Sequence, residues 1–425
     1  MINHYSKLNI FLRGFGEVFI FSNLGNLFSY IFIFILGRYL SNSDFSVFMA
    51  INSFIAILVS PIAFSPMILS KSYINNFSFN TELKVNFIKN LTFLVLILVI
   101  VLDIFYLILF EQIKDFLNYE VNYHLILTII IFNLSYLCIP FHGIFQGEKK
   151  FLKFSIIASF PMISKVIYLI ILILYFNKNN VFDLVFYSTI LSFVSTLFLT
   201  YVFLNQTFIL KLGHISIKII IDILKSFKNF QFILFCNIFY LFLLSIDVII
   251  ANRILPTDES AIYTKISVIS KSIFFLMSSL STVIFPIAVQ NKVNRNIAES
   301  YKNLFQGFIL FTIISVFVIL FLYYFKDLVF KITFNISISE YEDLFLIQSI
   351  SIVILTLSQF IAVFNLANKK NNFIYLYILI TILYIILSSM LVVSINYLVY
   401  LNISTSSVTF LVALYQLSFL KNEKN

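Results

Sequence analysis

The chain has 425 residues, of which 61% are apolar and only 11% charged, with a formal net charge of +9 and a mean hydropathy of +1.01. A soluble domain is about half apolar and a quarter charged, so this composition excludes a soluble globular protein. The excess of positive charge is accounted for by lysines flanking apolar segments, and no nucleic-acid partner is expected.

Apolar runs of about 20 residues recur from end to end without strand alternation, which predicts an all-α polytopic membrane protein rather than a barrel. Residues 1–13 are polar and the first apolar run is full length, so no cleavable signal peptide is expected. Twelve transmembrane helices are predicted, at 15–37, 45–69, 88–110, 124–145, 154–176, 181–205, 230–253, 262–289, 302–325, 341–366, 373–395 and 397–420. Cys138 and Cys236 lie in apolar runs, and His4, His124, His142 and His214 show no ligand spacing. No disulfide framework, metal site or cofactor is expected from them.

With the N-terminus placed in the cytoplasm, nineteen of the 28 Lys and Arg residues fall on the cytoplasmic side and six outside, with Lys165, Lys265 and Lys271 inside spans. That bias puts both termini in the cytoplasm. The outer connections, such as 111–120 and 326–343, read as short acidic loops with no room for a soluble domain. The longest inner connection differs: Ile215, Ile219, Ile223 and Phe227 recur at i+4 among Lys218, Asp222, Lys225 and Lys228. This pattern predicts a basic amphipathic helix on the membrane face. It separates an N-terminal six-helix lobe (1–205) from a C-terminal one (230–425), with the linker helix at 206–229.

The two blocks are alike. ILGRYLSNSDFSVFM at 35–49 and IANRILPTDESAIYT at 250–264 align at an offset of 215, pairing Arg38 with Arg253, Leu40 with Leu255, Asp44 with Glu259 and Phe48 with Tyr263. Six spans per block give both copies the same orientation, related by an axis along the membrane normal with a path between them.

The stretch from Leu36 to Lys71 (LGRYLSNSDFSVFMAINSFIAILVSPIAFSPMILSK) resembles the opening hairpin of polysaccharide flippases in the multidrug/oligosaccharidyl-lipid/polysaccharide (MOP) exporter superfamily. IPFHGIFQGEKKFLKFSIIASFPMISK, 139–165, resembles that family's fourth and fifth spans with a Gln-Gly turn between them. The stretch from Asp247 through Tyr263 to Pro286 resembles its seventh and eighth. The resemblance implies a Wzx-type flippase with two six-helix lobes in a MATE-like V. It would move an undecaprenyl-diphosphate-linked oligosaccharide (O-antigen, capsule or a similar repeat unit) across a bacterial cytoplasmic membrane by alternating access. Polysaccharide polymerase and chain-length regulator proteins are the implied partners. Twelve spans lack the two extra helices of the peptidoglycan-precursor branch.

Such a head group needs a cationic, hydrated path. Lys271 lies about 15 Å into the eighth span, at 1.5 Å per residue, and shares a polar stripe with Thr264, Ser267, Ser278 and Thr282. It is read either as a phosphate contact or as the partner of a buried carboxylate. Lys165 lies about 17 Å into the fifth span, one turn after Pro161, and belongs to the opposite lobe in the architecture the resemblance implies; it is read either as a second phosphate contact or as a structural pairing or helix-kink residue. Lys265 and Asp247 stand at similar depth on consecutive helices, where an ion pair is as expected as a substrate role. Asp247, Asp103 and Glu17 are the carboxylates available to couple transport to H+ or Na+, with Asp247 ranked first and Glu17 also within reach of Arg13. Asn23, Asn26 and Tyr30 make a polar face on the first span, suited to sugar hydroxyls or to interhelical hydrogen bonds. Arg38 and Arg253, at outer helix ends, read as interface anchors. A drug/cation antiporter is the alternative, although its cavity should be acidic. An enzyme such as a polymerase is disfavoured by the lack of a sizeable outer loop.

Overall fold

The computed structural model describes residues 2–63, 65, 66, 69, 81–148, 150–176, 181–204, 215–229, 231–293, 297–367 and 373–422; several side chains inside these ranges, including those of 2–16 and 276–293, are outside the description. The described chain is all helical. Its helices are α1 (Ile2–Tyr39), α2 (Asn42–Ala63), α3 (Thr81–Ile108), α4 (Phe110–Leu117), α5 (Asn122–Gly147), α6 (Phe151–Tyr175), α7 (Val181–Leu204) and α8 (Ile217–Asn229). There follow α9 (Gln231–Ile254), α10 (Thr257–Val293), α11 (Ile297–Tyr324), α12 (Lys326–Phe334), α13 (Glu342–Ala367), α14 (Ile374–Leu391) and α15 (Ile395–Asn422). Among the described residues ten helices are long and apolar enough to cross a membrane, and Tyr375–Leu391 is a shorter apolar helix. The predicted eighth span, 262–289, lies within the 37-residue α10. Each of the twelve predicted spans thus overlaps one of these helices, although 45–69 runs past the end of α2 at Ala63 partly onto residues outside the description.

The outer connections are not plain loops, as their polarity suggested. Phe110–Leu117 forms α4, with Ile113 and Leu117 buried on one face. Lys326–Phe334 forms α12, with Phe330, Thr333 and Phe334 buried. Both end on an asparagine in the left-handed region, Asn118 at φ 49° and Asn335 at φ 55°. Asparagine tolerates that conformation better than other residues with a Cβ, and it stops each helix there.

The chain clusters into two compact units: Met1–Leu40 with Leu58–Gln231, and Ser41–Ile57 with Phe232–Asn425. Helix α2 therefore contributes its first part to the second unit and its remainder to the first.

In the first unit α1 packs along α6, where Gly25 lies so close that an added Cβ would stand 3.1 Å from the Ser159 Cβ. Helix α6 also packs on α7, whose inward face is Ser188, Ser192, Thr196 and Thr200, all buried. Thr196 and Thr200 each donate to the carbonyl four residues back, at 2.6 and 2.8 Å, so the hydroxyls are satisfied within the helix and the backbones can approach. Gly143 in α5 faces the segment after α2, where a Cβ would meet the Pro66 carbonyl oxygen at 2.8 Å. Phe87, Leu91, Val95, Phe132, Tyr136 and Ile157 build the apolar core of this unit, and Ile223 of α8 packs into it.

In the second unit α13 is the central helix, packed against α10, α11 and α15. Gly307 of α11 accommodates the ring of Phe360 on α13. The first turns of α2 are held by polar contacts: Ser46 Oγ donates to Asn252 Oδ1 at 3.2 Å, and Lys265 Nζ donates to Asn42 Oδ1 at 2.8 Å.

The repeat is visible in the helix boundaries. Helix α1 ends at Tyr39 and α9 at Ile254; α2 starts at Asn42 and α10 at Thr257. Both pairs differ by 215. The two breaks are chemically different: Ser41 Oγ accepts from the Asp44 N–H at 3.1 Å as an N-cap, whereas Pro256 precedes α10 and accepts the Ser260 N–H at 2.8 Å.

Candidate functional site

Helix α10 carries Tyr263, Ser267 and Lys271 at i, i+4 and i+8, which places the three on one face. All three converge on Asp247 of α9. Lys271 Nζ donates to Asp247 Oδ1 at 2.8 Å; the Tyr263 hydroxyl and Ser267 Oγ donate to Oδ2 at 2.7 and 2.9 Å. Helical side chains lean toward the N-terminus, so Lys271 reaches back along α10 to a carboxylate shallower in the bundle than its own Cα.

The network continues. Asn402 Nδ2 of α15 donates to the Tyr263 hydroxyl at 2.7 Å and to Gln348 Oε1 of α13 at 3.1 Å. The Tyr384 hydroxyl of α14 donates to Asn402 Oδ1 at 2.7 Å. Five helices thus meet in one buried chain of polar groups. Beside it a small cavity of about 20 Å³ is lined by Asp247, Gln348, Ser351, Tyr384, Asn402 and Thr405, with apolar neighbours. Asp247 is 2% exposed, and its negative charge is balanced by one ammonium and two hydroxyls. A buried ion pair survives in a low-dielectric bundle when its remaining lone pairs are hydrogen-bonded in this way.

Depth alone suggested pairing Asp247 with Lys265. The structure pairs it with Lys271 instead, because Lys265 is two residues from Tyr263 and from Ser267, or about 200° around the helix. Lys265 is 3% exposed; its ammonium donates to Asn42 and lies 5.8 Å from the centre of the Phe334 ring. No carboxylate lies within ion-pair distance of it among the described residues.

Lys165 belongs to the first unit. Its ammonium lies 4.4 Å from the centre of the Phe32 ring on α1, and it has no carboxylate partner among the described residues. Asp103, on α3, accepts from Asn133 Nδ2 of α5 at 3.0 Å, while its Oδ1 and the Asn133 Oδ1 are buried without partners among the described residues. Glu17, Asn23 and Asn26 are partly buried on α1, and Arg38 and Arg253 occupy the last turns of α1 and α9, where a cation meets the free carbonyl end of the helix. The side chains of Arg13, Ser278 and Thr282 are outside the description. Thr264, from the expected stripe, is buried, and its hydroxyl has no partner among the described residues.

Sequence reasoning did not single out Gln348, Tyr384 or Asn402. The signal available was that each is a polar side chain inside an apolar span, which says nothing about which helix it meets. A second cluster was also missed. At the starts of α5 and α7, His124 contacts Asp183 through Nε2 and the Tyr119 hydroxyl through Nδ1, both at 2.5 Å, and its ring stacks on Phe186.

No family model matches the chain, and no curated protein does. Solved structures match over nearly its whole length. A multidrug resistance MATE family transporter of the MOP superfamily, in an inward-facing conformation, matches with a TM-score of 0.73 and 15% identity, over 94% of this chain and 96% of that one. The outward-facing conformation of a MATE family transporter matches at 0.63 and 15% identity, over 96% of each chain. The lipid II flippase MurJ, in an inward closed conformation, matches at 0.71 and 14% identity, over 94% of this chain and 87% of that one. The protein is therefore an all-helical polytopic membrane protein with a MATE-like fold. At these identities the likeness is one of fold.

Proposed function

We propose that the protein is a flippase for lipid-linked oligosaccharides, moving undecaprenyl-diphosphate-linked repeat units such as O-antigen or capsule from the inner to the outer leaflet of a bacterial cytoplasmic membrane. Both termini are cytoplasmic in this reading, as the lysine distribution favours. The observation that carries it is the state of the span lysines. Among the described residues Lys165 and Lys265 are held only by neutral groups, an aromatic ring in one case and an amide oxygen in the other. Cations without a counter-carboxylate inside an apolar bundle call for an anion, and a diphosphate supplies one. Lys271 is neutralised by Asp247, so it shapes the site more than it adds charge. Lys165 and Lys265 are accordingly the phosphate-binding residues of this proposal. Asp247 and Asp103 are its carboxylates for coupling to H+ or Na+, and a polysaccharide polymerase and chain-length regulator are its downstream partners.

The fold likeness to multidrug MATE transporters keeps a drug/cation antiporter as the second reading. Deleting the gene separates the two. Undecaprenyl-linked repeat units accumulating on the inner leaflet support the flippase; normal surface glycan with altered drug tolerance supports the antiporter.

A further inference from the structure

A groove of about 540 Å³ opens in the first unit between α3, α5 and α7, within the roughly 300–1,000 Å³ typical of small-molecule sites. Its walls are apolar over most of their length, from Ile88, Phe93 and Leu96 on one side to Leu197 and Leu204 on the other. Phe93 and Leu96 are exposed on the outside of the helices, as lipid-facing residues are. At one end the character changes. Lys89 and Tyr201 line the groove there, and neither has a hydrogen-bond or ion-pair partner among the described residues. Lys89 stands four residues inside the Val85–Ile108 span, about 6 Å from its end, whereas Leu96 lies about 10 Å deeper.

The same end is basic. Lys153 lies 5.2 Å from the centre of the Phe203 ring, and Lys218, Lys225 and Lys228 of α8 are exposed. The start of the linker helix closes the groove: Ile215 lines it, and the Ser216 N–H donates to Asn90 Oδ1 at 2.8 Å. Ile217, Ile221 and Leu224 of α8 are exposed as an apolar face beside those lysines, the pattern of a helix lying in a bilayer interface.

From these features we infer that the groove binds one anionic phospholipid of the surrounding bilayer. Its phosphate takes hydrogen bonds from the Lys89 ammonium and the Tyr201 hydroxyl, and one acyl chain lies between Phe93, Leu96 and Leu197. An anion without a chain leaves the apolar walls uncovered, and a neutral lipid leaves Lys89 without a counter-charge. Because Ile215 and Ser216 border the groove, the bound lipid also fixes the start of α8 against α3. The site stands whether or not the chain moves a glycolipid.

The test is native mass spectrometry on the purified full-length protein, delipidated and then given phosphatidylglycerol, phosphatidylethanolamine or undecaprenyl phosphate. Wild type should retain one phosphatidylglycerol in preference to phosphatidylethanolamine. Lys89→Ala should weaken that retention about fivefold, the contribution of a single interfacial lysine, and Lys89→Arg should restore it. Leu197→Trp, which crowds the acyl path with Lys89 intact, should weaken it as well. Equal retention of the two phospholipids, or retention unchanged in Lys89→Ala, overturns the proposal. Preferential retention of undecaprenyl phosphate overturns it in favour of the isoprenoid as occupant.

Discussion

Lys271 Nζ lies 2.8 Å from Asp247 Oδ1, while Lys265, six residues earlier in the same helix, reaches an amide oxygen instead. Two lysines that look equivalent in the sequence therefore differ in charge balance. Lys271→Ala leaves Asp247 buried with two hydroxyls and no cation, at a cost of about 3–5 kcal/mol. It should lower the detergent-solubilised melting temperature and the yield of inserted protein. Lys271→Met combined with Asp247→Leu should recover most of the loss, because removing both partners leaves no unpaired charge. A double mutant no more stable than Lys271→Ala would refute the ion pair.

Lys165→Ala tests the opposite case. It removes a cation–π contact worth about 0.5–2 kcal/mol and no ion pair, so stability should change little. Surface polysaccharide should nevertheless fall sharply in cells expressing it, with normal amounts of protein in the membrane. Undiminished polysaccharide would exclude Lys165 from the substrate path.

The Tyr263 hydroxyl is the joint of the buried network, donating to Asp247 and accepting from Asn402. Tyr263→Phe leaves one Asn402 N–H without its acceptor and removes one Asp247 contact, and should cost about 1–3 kcal/mol. The loss should shrink when Asn402→Leu is added, since the two residues share a hydrogen bond. Additive losses in a double-mutant cycle would show that they are not coupled.

His124 joins the starts of α5 and α7 through Asp183. His124→Ala should destabilise that end by about 1.5–3 kcal/mol, the worth of a hydrogen bond to a charged group. Amide exchange should rise around Tyr119–Tyr123 and Asp183–Tyr187 and stay unchanged in α13 and α15, which belong to the other unit. Faster exchange in α13 or α15 would contradict so local a role.

The spans and the repeat were legible because they rest on one-dimensional signals. Apolar runs mark the helices, and the Arg38/Arg253 match fixes an offset that the helix breaks at Tyr39 and Ile254 reproduce. Helices α4 and α12 were obscured because their short apolar faces sit among charges. The partners of Asp247 depend on helix rotation as well as depth, and depth was the quantity the sequence offered most directly. Gln348, Tyr384 and Asn402 lie between 85 and 139 residues from Tyr263 along the chain, so only the folded arrangement brings them to it.

The spacing of Tyr263, Ser267 and Lys271 has a consequence for how this region can change over time. Each of the three contacts admits some chemical variation, but their common direction depends on the number of residues between them. Losing or gaining one residue between Tyr263 and Lys271 turns the lysine by about 100° relative to the tyrosine and separates it from Asp247. Descendants of this chain can therefore exchange side chains along α10 more freely than they can alter its length there, and natural variation in this helix should consist of substitutions without insertions or deletions.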